Sequence, residues 1–186
     1  MAVPRQLPNA ITIARILCAP VFLWMLLADG GADGPLRWWA AVLFIVAIAT
    51  DGLDGHLARS RNLVTNLGII LDPIADKVLI GGALVALSIL GELWWWVTIV
   101  ILLREVGITI YRFVALRDRV IPASRGGKAK TMAQAIAISL FLFPFVLLLG
   151  EWMLWVNWIA MAIALALTVL SGLDYIWAAI KANRDA

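Results

Sequence analysis

Four aspartates carry the chemistry that this chain is able to do. Asp51 and Asp54 stand three residues apart, Asp72 and Asp76 four apart, and both pairs fall in strongly apolar surroundings. Spacings of three and four keep side chains on one face of an α-helix. At about 1.5 Å of rise per residue, Asp51 lies about 12 Å inward from Arg59, and Asp72 and Asp76 lie about 9 and 15 Å inward from Asn66. On adjacent antiparallel helices the two pairs reach similar depth, and four carboxylates can converge. An aspartate at the centre of a membrane helix costs about 2.5–3.5 kcal/mol. Four cost on the order of 10–14 kcal/mol if simply added, less where water enters. A divalent cation is the natural counter-charge. An all-oxygen donor set favours Mg²⁺ or Mn²⁺, and four aspartates can hold two such ions. Two other readings of the same acids exist. They are structural, paired with Arg59, Lys77, Arg104 or Arg112, or they line a proton or cation path, which would make the chain an ion transporter. Gly52, Gly55 and Gly68 either let a bulky ligand approach the backbone or let helices pack closely.

The elements that must position these acids follow from composition. The 186 residues are 63% hydrophobic and 15% charged, and the mean hydropathy is +0.96. A soluble domain is nearer half apolar and a quarter charged, so a small cytosolic globule and a disordered chain are both excluded. One cysteine, Cys18, excludes an internal disulfide and a thiolate zinc site, and one histidine, His56, excludes a His-rich metal centre. The net charge of +3 gives no argument for a nucleic-acid partner, and none is expected. A bilayer core needs about 20 apolar residues per helix. Six segments meet that demand, at 10–28, 37–58, 67–90, 93–115, 128–149 and 152–178. The first, third and fifth connections carry Asp29, Asp33, Glu92 and Glu151, with Arg37 as their lone cation. The opposite side collects Arg5, Arg15, Arg59, Arg61, Arg117, Arg119, Arg125, Lys128, Lys130, Lys181 and Arg184. That asymmetry places both termini in the cytoplasm. Trp38, Trp39, Trp94, Trp95, Trp96, Trp152, Trp155 and Trp158 gather at the outer ends and form an interfacial belt. The expectation is one all-α integral membrane domain, residues 1–186, in the inner or plasma membrane. A signal-peptide reading of the N-terminus conflicts with the charge pattern, because five remaining spans would separate the two ends.

The run D-x-x-D-G-x-x-A-R-x8-G-x-x-x-D-x-x-x-D is filled by Asp51, Asp54, Gly55, Ala58, Arg59, Gly68, Asp72 and Asp76. It resembles the signature of the CDP-alcohol phosphatidyltransferases. Pro8-Asn9 with Thr12 and Arg15, Arg104-Glu105, and Gly127-Lys128-Ala129-Lys130-Thr131-Met132-Ala133-Gln134 also resemble the branch of that family that forms phosphatidylglycerophosphate. The resemblance implies a six-helix fold with a polar cavity open to the cytoplasm, often as a homodimer. It implies two divalent ions, Mg²⁺ or Mn²⁺, and CDP-diacylglycerol as donor in a membrane-lipid setting. Carried across, Asp51, Asp54 and Asp72 are metal ligands, and Asp76 is both ligand and general base. Gly55, Ala58, Arg59 and Gly68 face the cytidine diphosphate end of the donor.

The acceptor is approached through the cytoplasmic cations. A phosphorylated acceptor such as sn-glycerol 3-phosphate needs a basic pocket. The candidates are Arg112, Lys128 and Lys130, helped by Thr12, Arg15 and Thr131. The positive-inside rule and attraction to anionic lipid account for such cations equally well, above all for Arg117 and Arg119. Lys130 stands at a helix start, which already favours anions. Arg104 and Glu105 read as an intramembrane pair fixing the fourth span. Asp174 either pairs with Arg15 or caps the sixth. Within the family, inositol phosphate or, in cardiolipin synthesis, phosphatidylglycerol is the alternative acceptor.

Overall fold

Long apolar runs broken by Gly, Asp and Pro clusters fold here as helices. The computed structural model describes residues 7–60, 66–115 and 125–184, with backbone alone for 7–11, 51–60, 66–73, 112–115, 125–126, 128, 179 and 182–184. Its elements are α1 (Leu7–Asp29), α2 (Pro35–Ser60), α3 (Asn66–Ile89), α4 (Trp95–Ala115), α5 (Arg125–Leu142), α6 (Phe145–Leu149) and α7 (Trp152–Arg184). No strand occurs among the described residues. Among them, two helical segments are long and apolar enough to cross a bilayer, Thr12–Asp29 and Trp152–Ala178, with shorter apolar stretches at Pro35–Thr50 and Ala129–Leu142. The chain divides into two compact units, residues 1–92 with 141–144, and residues 93–140 with 145–186.

In the first unit, α1 packs on both α2 and α3. Its buried stripe is Thr12, Arg15, Ala19, Phe22 and Leu26, a spacing of three and four that keeps one helix face turned inward. Ala40, Ala41, Phe44 and Ala47 of α2 and Ala83, Leu84 and Leu87 of α3 complete the core. Small residues let the helix backbones approach, and Phe22 meets Phe44 with ring centroids 5.3 Å apart. Gly82 of α3 is such a point of approach, since a Cβ there would lie 3.0 Å from Leu23 Cδ1. The α1–α2 turn uses Gly30 and Gly31 at φ +62° and +80°, conformations that L side chains rarely adopt. Asp29 Oδ1 accepts the Gly34 amide at 3.0 Å, and Pro35 then opens α2, where a missing amide proton costs nothing.

Arg37, the lone cation of the acidic connections, is fully engaged rather than free at a surface. Its Nη1 donates to Glu92 Oε1 at 2.6 Å and its Nη2 to Glu92 Oε2. Nη2 also donates to the Phe141 carbonyl at 2.8 Å and Nε to the Leu142 carbonyl at 3.0 Å, while Asp33 Oδ1 stands 3.2 Å from Nε. Those two carbonyls lie in the last turn of α5, where intrahelical donors run out. The fifth apolar run is not one helix. The sequence reading takes 128–149 as a single span, whereas α5 stops at Leu142 and α6 resumes at Phe145. Pro144 supplies no amide and disfavours helical geometry at Phe143.

In the second unit, Val97 and Ile101 of α4, Ala137 and Ile138 of α5, and Met153, Met161 and Ala164 of α7 are buried. Trp94 and Trp158 stack with centroids 4.4 Å apart, and Trp152 Nε1 donates to the Leu149 carbonyl at 2.7 Å. Trp94, Trp95, Trp96, Trp152 and Trp155 are exposed, as an interfacial belt requires. The last helix continues to Arg184, so Asp174 lies exposed inside α7 and does not cap its end.

Candidate active site

Short connections make α1, α2 and α3 antiparallel neighbours, and that register brings the predicted residues of the first unit to one end. Asp54 is six residues before the end of α2 and Asp72 six after the start of α3. Asp51 and Asp76 are nine and ten residues from the same ends. The four aspartates therefore stand on two levels, about 9 Å and about 14–15 Å from that end of the helices. Gly55, Ala58 and Arg59 follow on the last turns of α2, and Gly68 on the first turn of α3. Asp51, Asp54, Gly55, Ala58, Arg59, Gly68 and Asp72 lie outside the described side chains, so backbone position is what is known of them. Asp76 is half-buried beside Ala75 and Leu79, which pack into the core. Among the described residues no three acidic, histidine or cysteine side chains gather. As a donor set, four carboxylates paired on two facing helix segments, with only oxygen to offer, fit hard divalent cations.

Thr12 and Arg15 are placed at this same end. Arg15 is 14 residues from the α1–α2 turn and Asp51 is 16 residues from it on the other arm. Both Thr12 and Arg15 are buried, Arg15 to 3% exposure, on the stripe whose other members are apolar. Burial of a cation is costly unless it is paired, and Arg15 is among the residues with an interaction inside the protein.

The remaining predicted residues belong to the second unit. Arg112 lies near the end of α4, and Lys128, Lys130 and Thr131 lie on the first turns of α5. The side chains of Arg112 and Lys128 are outside the described set. Lys130 is buried and its ammonium donates to Glu105 Oε1. Thr131 Oγ1 donates to the Gly127 carbonyl at 3.1 Å. The expected Arg104–Glu105 pair is present at 3.2 Å, but it is part of something larger. Gln134 Nε2 reaches Glu105 Oε1 at 3.5 Å and Thr168 Oγ1 at 2.8 Å, and Arg104 Nη2 donates to Ser171 Oγ at 2.9 Å. Sequence reasoning named Gln134 as part of the resembling run but gave it no role, and it missed Thr168 and Ser171. Their signal is spacing: Gln134 is one turn from Lys130, and Thr168 and Ser171 share a face of α7.

Paired aspartates thus stand at one end of α2 and α3 in a chain built of apolar helices. Residues 5–170 match the CDP-alcohol phosphatidyltransferase family, and the chain belongs to it. Among its relatives, a probable phosphatidylglycerophosphate synthase of Mycobacterium tuberculosis is 46% identical over 176 residues, covering 95% of this chain and 82% of that protein. A CDP-diacylglycerol–glycerol-3-phosphate 3-phosphatidyltransferase of Bacillus subtilis is 40% identical, covering 96% of this chain and 98% of the other. One of the same name from Rickettsia felis is 36% identical, covering 97% and 99%.

Proposed function

We propose that this chain transfers the phosphatidyl group of CDP-diacylglycerol to sn-glycerol 3-phosphate, giving phosphatidylglycerophosphate and CMP. The observation that carries the reading is the complete aspartate signature on α2 and α3 in a chain similar over nearly its whole length to relatives named for that reaction.

The residues divide the work as follows. Asp51, Asp54, Asp72 and Asp76 would hold two Mg²⁺ or Mn²⁺ ions, which when bound neutralise the donor diphosphate and the charge growing on departing CMP. Gly55 and Gly68, having no side chains, leave room for the nucleotide against the backbone, with Ala58 and Arg59 beside it. Asp76 takes the proton from the acceptor hydroxyl as its oxygen attacks the lipid-side phosphorus. Arg112, Lys128 and Lys130 hold the acceptor phosphate, helped by Thr12, Arg15 and Thr131.

The same reading makes the chain a six-span protein of the plasma membrane. In it α5 and α6 together make one crossing, both termini and the active-site cavity face the cytoplasm, and two copies pair as a homodimer. The charge asymmetry between alternate connections supports that orientation. The test is purified protein supplied with CDP-diacylglycerol, Mg²⁺ or Mn²⁺, and each acceptor in turn. CMP release is expected with glycerol 3-phosphate. Release with inositol phosphate or phosphatidylglycerol alone overturns the acceptor, and ion flux across sealed vesicles without CMP overturns the class.

A further inference from the structure

Glu105 lies midway along α4, half-buried in the second unit with its side chain 15% exposed. One oxygen, Oε1, serves three donors from two helices. Lys130 Nζ donates to it, Arg104 Nη1 stands 3.2 Å away and Gln134 Nε2 3.5 Å away. The donors are themselves braced. Gln134 Nε2 is held by Thr168 Oγ1, whose own proton goes to the Ala164 carbonyl at 2.6 Å, and Arg104 Nη2 is held by Ser171 Oγ. Gly172 makes room for the Arg104 stem, since a Cβ there would lie 3.2 Å from Arg104 Cγ. Arg104 Nε is buried without an acceptor. Three helices thus fix one carboxylate, and the carboxylate fixes the lysine.

We propose that Glu105 is a positioning residue of the acceptor site: its carboxylate holds the Lys130 ammonium in place to meet the phosphate of the acceptor. The inference rests on the reading of Lys130 as a phosphate ligand. A lysine has a long flexible stem, and immobilising it costs entropy at the moment of binding unless that cost is met in advance. Glu105 meets it in the free protein. A simple Lys–Glu pair would be neutral and would attract no anion. Here Arg104 shares the same oxygen, so the carboxylate is not matched to Lys130 alone, and the ammonium is oriented before a phosphorylated acceptor arrives.

The experiment is steady-state kinetics on the full chain in mixed micelles, varying glycerol 3-phosphate and CDP-diacylglycerol separately. Glu105→Gln is expected to raise KM for glycerol 3-phosphate by about tenfold and to leave KM for the donor within about twofold. In a Lys130→Met background the same change is expected to add less than about twofold, because the residue it acts through is gone. Glu105→Asp keeps the charge but draws the ammonium back by one methylene, and is expected to raise the acceptor KM by a smaller factor. It carries the same test if Glu105→Gln does not accumulate as folded protein. An equal rise in both KM values, or an undiminished effect in the Lys130→Met background, makes Glu105 a structural residue and overturns the inference. If Lys130→Met itself leaves the acceptor KM unchanged, Lys130 is not a phosphate ligand, and the underlying reading falls with the inference.

Discussion

Asp76 sits where a packed helix face meets a polar end, next to buried Ala75 and Leu79 on α3. Its half-buried side chain suits the proposed role of proton acceptor, which needs partial access to the substrate. Asp76→Asn removes the basic oxygen without changing shape. It is expected to lower kcat for CMP release by at least about 10²-fold while the protein still inserts, measured as turnover per unit of membrane-extracted protein. Asp72→Asn should be as damaging. Substantial activity in both variants would refute the assigned chemistry. Chelation by EDTA should abolish CMP release and added Mn²⁺ restore it, because the proposed chemistry needs divalent ions to offset the four carboxylates and the donor diphosphate. Arg37 makes a different point at this scale. It is buried and its donors are spread over Glu92, Asp33 and two helix-ending carbonyls. Arg37→Met strands a carboxylate and those carbonyls together, at a cost of about 3–5 kcal/mol, to be read as a fall in Tm of the detergent-solubilised protein.

Helices were the easiest feature to foresee and their interruptions the hardest. The apolar runs located every long helix because length and hydropathy decide whether a segment can be buried. The break at Pro144 escaped that reading, since Phe143 and Phe145–Leu149 keep the run apolar across it. Hydropathy does not report a missing amide. The aspartate levels were legible because helix rise and a short connection fix register. Of the Glu105 hub only the Arg104 pair was legible, because Lys130 and Gln134 lie on α5 and the braces Thr168 and Ser171 on α7, and no local spacing joins α4 to them. Close packing also depends on details that periodicity leaves open. Gly82 meets Leu23 where α1 and α3 touch, and Gly82→Val is expected to cost about 1–3 kcal/mol by overpacking, seen as a lower Tm with α-helical content retained by circular dichroism.

At the scale of the whole molecule, family membership was readable from eight positions, because a cluster of acids in an apolar chain leaves few chemistries that need it. Orientation is open to direct test. With Cys18 replaced by Ala, a cysteine at Glu151 should react with a membrane-impermeant maleimide in intact cells, and one at Arg184 only after lysis; the reverse pattern would invert the topology. The inward stripe of α1 adds one last consequence. Phe22 and Leu26 at one end and Thr12 and Arg15 at the other lie on a single line along the rod. The greasy half therefore sets the angular phase of the polar half, some two turns away. On the proposed role of Arg15, an alteration at Phe22 that rotates α1 by a fraction of a turn would re-aim that side chain, and is expected to register as a higher KM for glycerol 3-phosphate before it registers as unfolding.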